Sequence, residues 1–170
     1  MLATFFLVGG YQQPALPSIK VAAPTEQSVK EEMHREQREK QYLKAAAVAR
    51  MVYRRNHCRA TFADATGQAA VDYGVSPRIL AALVFVESSC NPNAVSGRDS
   101  VGLAQINPRI WKFSKVELVD PRRNLRIGAS ILASYIHRYG LKEGLHAYNG
   151  FGNPTDSYAN KVLTAAGLIA

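Results

Sequence analysis

Apolar side chains recur at helical spacing between residues 78 and 88, at Ile79, Leu80, Leu83 and Val86. Ser76-Pro77 lies just upstream, an N-cap followed by a proline suited to the first helical turn. The pattern predicts a helix that stops at Glu87-Ser88, before a loop over 91–100 rich in Asn, Pro, Gly and Ser. Upstream, 63–73 suits a helix ended by Gly74. Downstream, 103–111 reads as a short ordered segment broken at Pro108, and 121–139 as a long helix ending at Gly140. A helix over 142–148, a loop over 149–155 and a last helix over 158–168 complete the pattern. No stretch alternates with period two for long enough to demand a strand, so the expected class is mainly α.

Residues 26–56 differ in character. No Pro or Gly interrupts them, and Glu, Lys, Arg, Gln and Ala dominate, which predicts a helix on propensity. Its first half has too few apolar residues to dock firmly. The second half offers Tyr42, Leu43, Ala46, Ala47, Val48, Met51 and Val52 for packing. We read the segment as a solvated lead-in helix, with a tether to a partner assembly or the cell wall as the alternative. Residues 11–25 hold three prolines and read as an extended linker. The start, MLATFFLVGG, is too short to span a bilayer and lacks the basic flank of a secretory signal. It reads as an apolar terminus, with an export signal as the alternative. Three regions are expected: an apolar start and linker over 1–25, a charged helical extension over 26–60, and a globular domain over 61–170.

Composition narrows the partners. The chain has 170 residues, 47% hydrophobic and 20% charged, with a formal net charge of +8. A basic balance suits polyanions such as nucleic acid, anionic lipid or bacterial cell wall. There is no aromatic-interleaved basic patch, zinc-ligand spacing or P-loop, so neither a specific nucleic-acid partner nor a metal or organic cofactor is expected. Cys58 and Cys90 are either two unpaired buried thiols or a single disulfide, the latter implying export.

Glu87 stands out because an apolar run leads straight into it. In the last turn of a helix, burial and the negative end of the helix dipole both disfavour the ionised form. A carboxyl that keeps its proton near neutrality is suited to general-acid catalysis.

The order of motifs around it resembles the catalytic domain of lytic transglycosylases, relatives of goose-type lysozyme. Glu87-Ser88 followed by Asn91-Pro92-Asn93-Ala94-Val95-Ser96 is similar to that family's Glu-Ser and its loop. Gly102-Leu103-Ala104-Gln105-Ile106-Asn107-Pro108 is similar to its Gly-Leu-Met-Gln-Ile element. Asp120-Pro121 with Asn124-Leu125-Arg126-Ile127-Gly128 resembles its Asn-Ile-x-x-Gly helix start, and Ala147-Tyr148-Asn149-Gly150 its Ala-Tyr-Asn-Gly element. Tyr158-Ala159-Asn160-Lys161-Val162 is a fifth, weaker piece. Three positions depart from the pattern. Ala104 stands where Met is common, which is expected to loosen a contact on a cleft wall. Phe151 stands where a small residue is usual, and Cys90 where the residue is often aromatic.

The resemblance implies a lysozyme-like helical domain with a glycan-binding cleft, acting on peptidoglycan through one catalytic acid, Glu87. Glu87 would protonate the glycosidic oxygen between N-acetylmuramic acid and N-acetylglucosamine. The muramyl acetamido group would stabilise the anomeric carbon, and Glu87 would then deprotonate the C6 hydroxyl to close a 1,6-anhydro ring. Ser88 would bond the acetamido group or the Glu87 carboxyl, and Gln105 would offer an amide donor and acceptor to the sugar. Tyr148 would hold the carboxyl or the acetamido group, and Asn149 would cap the cleft or form its turn. Trp111, the sole tryptophan, is read as a core residue, with a sugar platform as the alternative. A hydrolytic muramidase needs a second carboxylate. Asp99 is the candidate, although a loop-capping role suits it better. A non-catalytic wall-binding component is the third reading. Expected partners are glycan strands and, through the N-terminal helix, secretion, conjugation or virion machinery. A monomer in the cell envelope after export, or in a phage particle, is the expected setting.

Overall fold

The structure is a computed structural model that describes residues 25–150 and 157–170. The expectations for the apolar start, the linker up to residue 24 and Phe151 lie outside the described residues. Among the described residues eight α-helices follow one another: α1 Glu26–Arg55, α2 Ala63–Tyr73, α3 Pro77–Ser88, α4 Pro108–Trp111, α5 Lys115–Leu118, α6 Pro121–Tyr139, α7 Leu141–Asn149 and α8 Ser157–Ala165. A 3-10 turn at Ala60–Phe62 leads into α2. No strand forms among the described residues. Val101 makes isolated bridges to Val95 and Ile106 in the segment between α3 and α4.

Local chemistry sets most boundaries. Thr25 caps α1 by accepting from the Ser28 amide. Gly74, at φ 67°, ends α2 in the left-handed region, as the sequence predicts. Ser76 occupies the N-cap position of α3, yet its side chain makes no capping hydrogen bond. Pro108 opens a helix rather than breaking one, because Asn107 caps α4 by accepting from the Arg109 and Ile110 amides. Helix α5 was not expected. Its signal is a capping box between Ser114 and Glu117. Asp120 and Pro121 start α6.

Helix α3 forms the centre. Its residues Ile79, Leu80, Ala81, Ala82, Leu83 and Val84 are all buried, so it is enclosed on every side rather than amphipathic. Val86, expected on the apolar face, is only half-buried. Around α3 lie α1, α2 and α8, while α6 packs on α2 and α7.

The second half of α1 belongs to this core, through a face that shares Ala46 and Val52 with the expected set. Ala45, Ala46, Ala49, Val52 and Tyr53 are buried, whereas Leu43 and Met51 are exposed. The first half is solvated apart from one anchor on Asp72 of α2. That carboxylate accepts from Arg38 and Tyr42 of α1, at 2.9 and 2.7 Å, and from Arg126 of α6. Burial alone would raise its pKa, but these bonds hold it at about 2.

Cys58, just past α1, is bonded to Cys90, just past α3. Of the two readings open from sequence, the disulfide is therefore the one the fold takes.

Candidate active site

Glu87 lies two turns beyond Leu80 and one turn beyond Leu83 and Val84, all buried. The periodicity that builds the core thus carries this carboxyl to its edge. Burial pushes its pKa above the usual carboxylate value, and a hydrogen bond from the Tyr158 hydroxyl pulls it partly back. Tyr158 projects from α8, whose Tyr158, Val162 and Ala165 form one buried stripe. Burial, and then the neighbouring Glu87, raise the phenol well above its ordinary pKa, so it remains a donor.

Glu87 opens into a cleft of about 450 Å³ walled by the 96–107 turn, α4, α6 and the end of α7. Glu87 is the only carboxylate lining it among the described residues. Gln105, Tyr148 and Asn149 line the same cleft, so three of the four expected binding residues gather around the acid.

Their bonds differ from those expected. The Ser88 hydroxyl is buried between the Val84 and Leu103 carbonyls, at 3.0 and 2.9 Å. Its donor hydrogen ties α3 to the following turn instead of reaching the Glu87 carboxyl. Gln105 spends its amide nitrogen on the Ala94 and Gly102 carbonyls, at 3.1 and 3.0 Å, which leaves its oxygen as the group to offer. Its backbone sits at φ 49°, a left-handed conformation uncommon for a side-chain-bearing residue. Tyr148 donates to the Ala104 carbonyl at 2.8 Å, so the tyrosine that grips Glu87 is Tyr158 and not Tyr148. Asn149 is exposed at the cleft mouth in the last position of α7.

Ala104 is not on the cleft wall. It is fully buried, with its amide bonded to Asn124 Oδ1 at 2.8 Å. A Cβ on Gly128 would lie 2.5 Å from that of Ala104, so α6 approaches the turn closely only because position 128 is glycine. Asn124 also donates to the Val101 and Leu118 carbonyls, at 2.8 and 2.9 Å. One buried amide therefore holds the turn that carries Gln105.

Trp111, expected in the core, is 37% exposed and lines the cleft. It meets Tyr135 of α6 edge-on, with ring centroids 6.4 Å apart. Asp99 is absent from the lining; its carboxylate pairs with Arg109 and Lys115, at 2.8 and 3.4 Å. In the sequence Tyr158 belongs only to the weakest of the motifs, which implies no role for it. Its i, i+4, i+7 spacing with Val162 and Ala165 was the available sign that it faces the core. Tyr135 and Arg98 also line the cleft and carried no sequence signal that distinguished them.

A half-buried acid thus stands at the end of the central helix of a mainly α domain, in a groove lined by polar, aromatic and aliphatic side chains. The chain belongs to the Transglycosylase SLT domain family, which matches residues 64–166. Among similar proteins is a "Transglycosylase" of Enterobacteria phage PRD1, 35% identical over 114 residues, covering 62% of this chain and 43% of the relative. Another is an "Endo-type membrane-bound lytic murein transglycosylase A" of Cronobacter sakazakii, 35% identical over 94 residues, covering 48% of this chain and 45% of the relative. The chain thus spans under half the length of these curated relatives.

Proposed function

We propose that this chain is a peptidoglycan lytic transglycosylase that cleaves the bond between N-acetylmuramic acid and N-acetylglucosamine. The observation that carries the reading is Glu87: a carboxyl with a pKa raised by burial, held by Tyr158, in a cleft with no second carboxylate among the described residues. Tyr158 occupies Oε1, which leaves Oε2 to carry the proton. Glu87 gives that proton to the glycosidic oxygen as the bond to the muramyl anomeric carbon breaks. The muramyl acetamido oxygen closes on that carbon to give an oxazolinium ion. The Glu87 carboxylate then takes the proton of the C6 hydroxyl, whose oxygen displaces the acetamido oxygen and forms the 1,6-anhydro ring. The acid is restored and no water is consumed, which fits one carboxyl better than two. The engagement of Asp99 with Arg109 and Lys115 weighs against the hydrolytic alternative.

The setting follows from the same observations. A disulfide suits an oxidising compartment, and the relatives are named as phage and membrane-bound proteins. Action in the cell envelope, from an exported protein or a virion, is the setting we infer. The solvated first half of α1 is the segment available to secretion or virion partners. No helix among the described residues is long and apolar enough to cross a membrane.

Incubation with purified peptidoglycan, wild type beside Glu87→Gln, followed by mass analysis of soluble sugars, tests the reading. The wild type is expected to release muropeptides one water lighter than hydrolysed ones. Glu87→Gln is expected to lose about a hundred- to ten-thousand-fold in rate. Hydrolysed products, or full activity in Glu87→Gln, would reject it.

A further inference from the structure

The cleft is lined by a cationic side chain that the reaction does not use. Arg98 lines it, exposed, from the 91–100 loop. Its backbone is fixed on both sides: its amide donates to Ser96 Oγ at 3.3 Å, and its carbonyl accepts from Asn107 Nδ2 at 2.8 Å. The adjoining Ser96–Ser100 turn is closed by the Ser96 amide to the Ser100 carbonyl at 2.9 Å.

The nearest carboxylate in sequence is withheld from Arg98. Asp99 is the sole acid in the loop, and it is shared between Arg109 and Lys115. No carboxylate among the described residues pairs with Arg98. The causes of the Glu87 shift are burial and the Tyr158 hydroxyl. With Glu87 protonated, the charge lining the cleft among the described residues is that of one guanidinium. A guanidinium so presented matches a carboxylate in geometry as well as charge.

Resting on the transglycosylase reading above, we propose that Arg98 is a specificity residue, whose guanidinium binds a carboxylate on the lactyl branch of a muramic sugar seated in the cleft. The shared chemistry is a carboxylate on that branch. It has two sources: the lactyl acid itself on strands stripped of peptide, and the carboxylates of the stem peptide on intact strands.

The test uses the full chain and three glycans: peptide-bearing strands, amidase-stripped strands, and stripped strands with their carboxylates converted to neutral amides. Arg98→Ala is expected to raise KM about five- to tenfold on at least one charged glycan, with kcat nearly unchanged. Arg98→Lys is expected to recover part of the loss. On the amidated glycan, wild type and Arg98→Ala are expected to be equal. A defect on peptide-bearing strands alone assigns the stem peptide, and one on stripped strands alone assigns the lactyl acid. Equal KM for wild type and Arg98→Ala on both charged glycans overturns the proposal, as does an equal defect on all three. The same comparison is read by glycan binding in a Glu87→Gln background. Binding without cleavage by the wild type would reject the transglycosylase reading, while the Arg98 ratio would still decide this one. Absence of binding to every glycan would reject both.

Discussion

At Glu87 one hydrogen bond works against burial. The Tyr158 phenol favours the ionised carboxylate, while burial favours the neutral acid, and burial is the stronger. Removing the phenol hydroxyl in Tyr158→Phe withdraws the only opposing effect. The proton is then held to higher pH. Because the first step of the proposed reaction needs that proton, the alkaline limb of the pH–rate profile is expected to move upward. kcat is expected to fall about tenfold, since the carboxyl loses its orientation. Steady-state rates across pH check both. A Tyr158 that merely packed the core would lower the rate without moving the limb. Tyr148→Phe, which loses only a bond to the Ala104 carbonyl, is the contrasting variant.

At the scale of elements, the site depends on close approaches bought by small residues. Helices α1 and α2 touch at Gly67, where a Cβ would lie 2.4 Å from the Ala46 nitrogen and 2.8 Å from its Cα. Both neighbours are backbone, so neither can swing aside. Gly67→Ala is expected to destabilise the fold by about 2–3 kcal/mol. The corresponding fall in Tm is roughly 4–12 °C, measured by thermal unfolding. Asn124 plays the comparable part between α6 and the Gln105 turn, with hydrogen bonds to Ala104, Val101 and Leu118. Its motif neighbour Gly128 keeps the approach open. These two positions are structural supports of the cleft rather than groups that face it.

Across the whole molecule, the Cys58–Cys90 bond closes a separation of 32 residues that contains α2 and α3. In the unfolded chain that closure removes conformational freedom worth about 3–4 kcal/mol. Cys58→Ser with Cys90→Ser, or reduction of the native chain, is expected to lower Tm by roughly 7–14 °C. Thermal scans with and without reductant check it. Charge is also divided at this scale. Residues 42–60 hold Lys44, Arg50, Arg54, Arg55 and Arg59 and no acid, so the basic surplus of the N-terminal third sits beside the folded domain. The projecting first half of α1 carries both signs.

The sequence by itself determined the longer helices, their stops at Gly74 and Gly140, the family motifs, and the placing of Glu87 in the last turn of α3. These are local facts: periodicity, propensity and capping act within a few residues. It also grouped Gln105, Tyr148 and Asn149 with the acid, because their motifs followed it in order. Only the tertiary structure decided which tyrosine grips Glu87, that Ser88 and Asn124 serve the backbone, that Trp111 leaves the core for the cleft, and that the two cysteines pair. Each of those depends on which side chains meet across long separations in the chain. The Tyr158–Glu87 contact joins residues 71 apart, and no local pattern states which hydroxyl will arrive.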